Sequence, residues 1–212
     1  MIRALPSRLY AIADPGPSGA DVVELAARIL AGGARILQLR WKDASTAELV
    51  AAARACRALT RRHGALFFVN DRADVALASE ADGVHLGQTD LPIRAARRLV
   101  GAERWIGVST HDPGQARAAE AGGADYIGFG AIFETRTKAG ATAPQGLARL
   151  REVRTAVALP IVAIGGIDVE RAREVIAAGA DAVAMISALA AATDVTGYVR
   201  DLVGALDGAK SA

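Results

Sequence analysis

Short apolar runs alternate with amphipathic stretches along the whole chain. A typical amphipathic stretch is 46–63, where apolar residues recur at helical spacing and predict a helix. Buried parallel strands are continuous apolar runs rather than strict alternations, so each run between helices is predicted to be a strand. Eight such strands are predicted, near residues 8–14, 35–41, 65–71, 83–88, 104–110, 125–133, 160–166 and 181–187.

One short motif, in which small residues and glycine precede an apolar run, recurs along the chain. Glycine after a helix end supplies the left-handed cap that returns the chain to a strand. Eight strand and helix units in about 200 residues are the minimum for a TIM (β/α)8 barrel, and we predict a single barrel domain over 1–212. An open doubly wound sheet is the alternative, but it would usually show fewer strands and a glycine fingerprint after the first. The glycine-containing motif occurs at 31–36, 80–84, 121–126 and 178–183.

Composition narrows the classes of function. The 212 residues are 52% hydrophobic and carry 25 basic against 23 acidic side chains, which is not the footprint of a nucleic-acid-binding protein. No apolar run reaches the ~18–20 residues of a membrane span, and none near the start resembles a signal peptide. The single cysteine, Cys56, is predicted to be a core residue. We therefore expect a cytoplasmic protein without nucleic-acid or membrane partners, whose oligomeric state the sequence leaves open.

Unusual polar residues cluster where the predicted strands end, which is where barrels carry their chemistry. Gln38, Arg40 and Lys42 occupy alternate positions at the end of the second strand, so they share one face. A basic face of this kind suits an anion. Of the three lysines in the chain, Lys42 and Lys138 both fall at this predicted mouth, where a compact ammonium can neutralise phosphate.

Two carboxylates follow the next two strands. Asp71 and Asp90 lie one unit apart, which places them on neighbouring strands roughly 5 Å apart at the backbone. Acids that face a basic cluster indicate Mg²⁺, which takes one or two carboxylates together with waters and phosphate oxygens. The alternative is that Asp71 pairs with Arg72 or caps the following helix.

A second anion site is predicted after the last two strands. Gly165 and Gly166 end the seventh strand, and Ile186 and Ser187 end the eighth. Barrels commonly bind a phosphate there through backbone N–H groups, and glycine allows close approach.

Taken together, these segments resemble the thiamine-phosphate synthase family, TIM-barrel enzymes that join the two halves of thiamine. The resemblance runs almost end to end. Its segments are Leu9-Tyr10-Ala11-Ile12, Gln38-Leu39-Arg40 with Lys42, Val69-Asn70-Asp71-Arg72, Gly83-Val84-His85-Leu86-Gly87-Gln88 with Asp90, Gly107-Val108-Ser109-Thr110-His111, Thr135 with Thr137 and Lys138, Ala163-Ile164-Gly165-Gly166-Ile167, and Ile186-Ser187.

The resemblance implies two small-molecule substrates, 4-amino-5-hydroxymethyl-2-methylpyrimidine diphosphate and a thiazole phosphate or its carboxylated form. It implies a Mg²⁺-assisted, dissociative substitution that yields thiamine phosphate and pyrophosphate. By position, Asp71 and Asp90 would hold Mg²⁺, and Arg40, Lys42, Lys138 and Ser109 would be the catalytic groups. The implied diphosphate residues are Gln38, Arg40, Lys42, Asn70, Ser109 and Lys138, and the implied thiazole residues are Thr135, Arg136, Thr137, Gly166, Ile186 and Ser187.

Three positions depart from the family pattern. Trp41 stands where an acid is common, Ala131 replaces a usual proline, and Glu134 follows shortly after. Two other functions stay open. One is the related thiazole tautomerase, which would share the barrel but carry a histidine where Ala131 lies. The other is a non-catalytic barrel that binds a phosphorylated metabolite.

Overall fold

A computed structural model describes residues 2–16, 19–135 and 143–208, and it contains a closed parallel barrel. The strands follow one another around the barrel in chain order, and the last pairs with the first. This arrangement confirms the predicted (β/α)8 barrel. The strands are β1 Leu9–Ala13, β2 Ile36–Leu39, β3 Leu66–Asn70, β4 Gly83–Leu86, β5 Trp105–Thr110, β6 Tyr126–Gly130, β7 Ile161–Ile164 and β8 Ala182–Met185.

Helices follow the strands and form the outer layer. The longest one spans the predicted 46–63 and begins at a capping box, in which Ser45 and Glu48 each bond the other's backbone N–H. It ends at Gly64, whose left-handed conformation turns the chain into β3. The helices are α1 Val22–Ala31, α2 Thr46–His63, α3 Ala73–Ala78, α4 Ile93–Val100, α5 Pro113–Gly122, α6 Gly146–Ala156, α7 Val169–Ala177, α8 Ser187–Ala191 and α9 Val195–Asp207.

The core has two parts, which the alternation of side chains along each strand separates. Leu9, Ala11 and Ala13 of β1 belong to the large apolar layer between strands and helices. Tyr10 and Ile12, at the alternate positions, belong to a smaller aromatic cluster with Phe68 and other residues. That cluster fills the barrel interior and forms the floor beneath the strand ends.

Most strands end earlier than the apolar runs that predict them. β6 stops at Gly130 although the run continues to 133, and β7 stops at Ile164 although the prediction continues to 166. Beyond these points the two segments stay together through Ile132 N–H to Ile164 O at 2.9 Å and Phe133 N–H to Gly165 O at 3.0 Å. The apolar character of residues 131–133 therefore reflects packing in the connecting loop, where Ile132 is fully buried. Within the described residues, no helix is both long and apolar enough to span a membrane.

Candidate active site

A cavity of about 420 Å³ opens at the carboxyl end of the strands. It gathers residues that lie far apart in sequence, as expected for the functional end of a barrel. Three predicted residues, Arg136, Thr137 and Lys138, lie outside the described residues. The other predicted site residues all line this cavity: Gln38, Arg40, Lys42, Asn70, Asp71, Asp90, Ser109, Thr135, Gly166, Ile186 and Ser187.

One wall of the cavity carries the cations of the β2 end. Arg40 forms an ion pair with Asp14, a residue that follows β1 and is only 8% exposed. Lys42 is half exposed, and its Nζ lies 3.1 Å from Asp71 Oδ2. Both cations are therefore paired with carboxylates at the rim, Arg40 with Asp14 and Lys42 with Asp71. The sequence analysis did not single out Asp14, because an acid in a Pro- and Gly-rich loop gives no signal of its own.

Asp71 and Asp90, which together form the acid pair, are in contact beside Lys42. Asp71 follows β3 in a left-handed conformation, with φ of 62°. The pKa of Asp90 is raised, first by burial and also by a hydrogen bond with Asp71 and the charge of that neighbour. Two carboxylates in contact repel each other when both are ionised, so this pair suits a bound cation.

The partner of Asp71 settles an alternative that the sequence left open. Asp71 pairs with Lys42 and not with Arg72, whose guanidinium binds Asp74 at 2.6 Å. Asp71 also precedes rather than caps α3, because Arg72 occupies the cap position without a side-chain cap bond. Across the described chain, no group of three or more His, Cys, Asp or Glu side chains is arranged to hold a metal. A two-carboxylate site would thus need oxygen ligands from elsewhere.

The floor of the cavity is a set of buried polar side chains. Gln38, which is 2% exposed, donates from Nε2 to Asn70 Oδ1 at 3.0 Å. Tyr10 and Tyr126 place their hydroxyls 2.7 Å apart in the same layer. His85 connects Tyr126 to Ser109 through its two ring nitrogens, each at 3.0 Å.

The sequence analysis assigned no functional role to Tyr10, Tyr126 or His85, although Tyr10 and His85 lie in segments that carry the family resemblance. The available signal was the period of two along each strand, which directs Tyr10 inward beside Ile12. A tyrosine in an apolar strand is usually assigned to packing, so its hydroxyl was overlooked. His111, also at the rim, lies with Nδ1 2.7 Å from Gly130 O.

The opposite wall is built mainly of backbone. Gly166 has a φ of 64°, and a Cβ there would lie 2.5 Å from Glu134 O, so glycine is required for this close approach. Ser187 begins α8 directly after Ile186 at the β8 end. Thr135 and Ala131 complete this wall on the β6 side. Small residues and backbone thus form a concave surface opposite the cations.

The cavity is suited to charge neutralisation rather than to covalent catalysis. Its described charged groups are cations paired with carboxylates, and its floor offers neutral hydrogen-bonding groups. Cys56 lies in α2, is fully buried and does not line the cavity. Burial, with a smaller effect of Asp21, raises the pKa of the Cys56 thiol to about 12, so it stays protonated near neutral pH.

Comparisons with known proteins agree with this geometry. A family model described as thiamine monophosphate synthase matches residues 9–189. A thiamine-phosphate synthase from Moorella thermoacetica is 53% identical over 184 residues, covering 87% of this chain and 88% of the relative. One from Chloroflexus aurantiacus is 49% identical over 199 residues, covering 92% and 90%.

Comparison with solved structures indicates the same family. A thiamine phosphate pyrophosphorylase from Pyrococcus furiosus superposes with a TM-score of 0.87 at 40% identity, covering 95% of this chain and 96% of that one. The family model spans most of the chain, and the relatives match over nearly their full lengths. The chain belongs to the thiamine monophosphate synthase family.

Proposed function

We propose that this protein joins 4-amino-5-hydroxymethyl-2-methylpyrimidine diphosphate to a thiazole phosphate, giving thiamine phosphate and pyrophosphate, or to its carboxylated form, giving the same products and carbon dioxide. The observation that carries the proposal is the division of one cavity into two walls. Arg40 and Lys42 with the acid pair occupy one wall, and the backbone around Gly166 and Ser187 forms the other. Two phosphorylated substrates that react with each other need two phosphate-binding walls in one cavity.

The diphosphate would lie against the cationic wall. Arg40 offers a planar fork of donors and Lys42 a compact positive charge, and both would neutralise charge that develops as the diphosphate leaves. Lys138, which follows the β6 side in sequence, would add a third cation. The pyrimidine would lie deeper, over the polar floor formed by Gln38, Asn70 and Ser109.

Asp71 and Asp90 fit a Mg²⁺ ion. Their side chains touch, the pKa of Asp90 is raised, and Lys42 is the cation beside them. When bound there with a diphosphate, Mg²⁺ would supply positive charge to the leaving group. The two carboxylates then serve to hold that charge against the diphosphate wall.

The thiazole phosphate would lie against the backbone wall. Thr135, Arg136, Thr137, Gly166, Ile186 and Ser187 would hold it, largely through N–H groups and hydroxyls. The close contact of Gly166 with Glu134 O brings the β6 and β7 loops together on this side. Holding both substrates in one cavity converts their encounter into a step between fixed partners.

The chemistry requires no protein nucleophile. Departure of diphosphate from an electron-rich aminopyrimidine leaves a stabilised carbocation, which the thiazole nitrogen captures. The chain's own task is to bind and orient the two rings, to neutralise the leaving group and to keep water away. A cavity with cations on one wall and neutral polar groups on its floor meets these needs.

The test is a coupling assay with purified protein, Mg²⁺ and both substrates, in which thiamine phosphate is oxidised to fluorescent thiochrome. We expect product with the wild type and a strongly weakened Mg²⁺ response in Asp71→Ala and Asp90→Ala. Isomerisation of the thiazole without coupling would identify a tautomerase instead. Binding of either substrate without turnover would identify a carrier.

A further inference from the structure

A continuous chain of hydrogen bonds runs across the barrel beneath the cavity. It starts at Gln38 Oε1, which lies 2.9 Å from the Tyr10 hydroxyl, and continues to the Tyr126 hydroxyl at 2.7 Å. From Tyr126 it passes to His85 Nδ1 at 3.0 Å, and from His85 Nε2 to Ser109 Oγ at 3.0 Å. Both ends of the chain, Gln38 and Ser109, are residues of the proposed pyrimidine site.

The direction of every bond in this chain follows from its first member. An amide oxygen can only accept, so the single Tyr10 proton goes to Gln38. The Tyr10 oxygen must then accept from Tyr126, which uses the only proton of that hydroxyl. Tyr126 in turn can only accept from His85, so the proton of the imidazole lies on Nδ1.

Burial keeps this order in place. Tyr10 is 2% exposed and Tyr126 is fully buried, and burial raises the pKa of both hydroxyls, so each retains its proton. A buried hydroxyl without a partner is costly, so each proton stays committed to its neighbour. The ring of Tyr126 packs directly against Gly107, where an added Cβ would lie 2.0 Å from its Cζ.

The consequence appears at the far end of the chain. A neutral imidazole protonated on Nδ1 has a lone pair on Nε2, so Ser109 donates its hydroxyl proton to His85. Ser109 Oγ is then left with lone pairs only, and it also borders the cavity. A ligand group beside it must be a hydrogen-bond donor.

We propose that Tyr10, Tyr126 and His85 are positioning residues that fix Ser109 as a hydrogen-bond acceptor and so select a pyrimidine that carries an amine. This inference rests on the proposed function, because the amine is the donor that the pyrimidine diphosphate offers. An oxo group at the same ring position would place two acceptors against each other. The hydrogen-bond chain thereby distinguishes the amino ring from its oxo counterpart through the Ser109 hydroxyl.

The first test is independent of turnover. In protein labelled with ¹⁵N-histidine at pH 8, long-range proton–nitrogen spectra report which ring nitrogen carries the proton. We expect His85 to be protonated on Nδ1 and unprotonated on Nε2, with its signals assigned by their loss in His85→Gln. A proton on Nε2, alone or together with one on Nδ1, would overturn the proposal even if the coupling assay succeeds.

Substitution of Tyr126 tests whether its hydroxyl sets the position of the His85 proton. Tyr126→Phe keeps the ring and removes the acceptor for Nδ1, so the His85 proton should move toward Nε2. Tyr198→Phe, on α9 and away from the cavity, should leave the His85 spectrum unchanged. An unchanged spectrum in Tyr126→Phe would also count against the chain.

The second test measures selection by calorimetry in the absence of thiazole phosphate, so that no coupling occurs. Wild-type protein should bind the aminopyrimidine diphosphate at least about tenfold more tightly than its 4-oxo counterpart. Tyr126→Phe and Ser109→Ala should lose most of that preference, whereas Tyr198→Phe should retain it. Full discrimination in Tyr126→Phe would contradict the proposal. If the Nδ1 proton is found but no thiamine phosphate forms, the chain stands and the proposed reaction fails.

Discussion

Some side chains at the rim of the cavity are held in place by residues that do not themselves line the cavity. Asp14 is the clearest case, since its carboxylate pairs with Arg40 and also accepts the Gly16 N–H at 2.8 Å. A loop carboxylate bonded to its own backbone is itself fixed, and it fixes the guanidinium in turn. Arg40 therefore reaches the cavity with little remaining freedom.

Replacing Asp14 tests this role. Asp14→Asn should weaken binding of inorganic diphosphate about tenfold, because Arg40 loses its charged partner and must be ordered by the ligand instead. Calorimetric titration measures the effect. Glu24→Gln, which removes the exposed partner of Arg28 on α1, is the matched control and should bind diphosphate normally. Unchanged affinity in Asp14→Asn would show that Arg40 is held by other means.

The sequence identified residues better than it identified their partners. Gln38, Arg40 and Lys42 were predicted from their alternate spacing, and all three line the cavity. The contact of Lys42 with Asp71 depends on the left-handed turn at Asp71, which is unusual for a residue other than glycine and has no sequence pattern. Side-chain partners across the barrel require the register of neighbouring strands, which one sequence does not give.

At the scale of elements, the recurring motif has a structural role at the amino ends of the strands. In three copies an aspartate precedes an even-numbered strand and accepts an N–H from the first or second residue of the preceding strand. These bonds join Asp82 to Phe67, Asp125 to Ile106 and Asp181 to Ile161, at 2.7, 2.7 and 2.8 Å. Each carboxylate also pairs with a helix arginine, namely Arg57, Arg97 and Arg154. In these three copies the motif thus connects two strands and a helix.

These aspartates lie away from the cavity, so replacing one of them should change stability without changing function. Asp125→Asn should lower the free energy of unfolding by about 1–3 kcal/mol, because a mostly buried charged hydrogen bond is lost. Chemical denaturation followed by circular dichroism measures this change. Asp201→Asn, on the exposed face of α9, should change stability little. A large loss of coupling activity in folded Asp125→Asn would contradict the separation of the two ends.

Packing between neighbouring strands sets the floor of the cavity. A Cβ at Gly107 on β5 would lie 2.0 Å from Cζ of Tyr126 on β6, so the aromatic layer depends on glycine there. Gly107→Ala should destabilise the protein by about 1–3 kcal/mol through overpacking. Gly204→Ala in α9, where a Cβ would meet nothing within 4 Å, should instead stabilise it by about 0.5–1 kcal/mol. Equal thermal shifts for the two variants would refute the packing argument.

At the scale of the whole molecule, alternation of strands and helices was sufficient to predict the barrel. Each apolar run became a strand because parallel strands in a closed barrel are covered on both faces. The end of β6 was predicted too late because the apolar residues 131–133 continue the run beyond the sheet, and the end of β7 because the two glycines after Ile164 were included in the strand. The position of the cavity followed from the fold itself, since chemistry in such barrels lies at the carboxyl ends of the strands.

The central claim is that the cationic wall and the acid pair together bind a magnesium diphosphate. Calorimetric titration of inorganic diphosphate at pH 8, with and without Mg²⁺, tests it most directly. Wild-type protein should bind at least about tenfold more tightly when Mg²⁺ is present, and a double variant carrying Asp71→Asn and Asp90→Asn should lose that gain. Equal affinity with and without Mg²⁺ in the wild type, or a full Mg²⁺ gain in the double variant, would contradict the account.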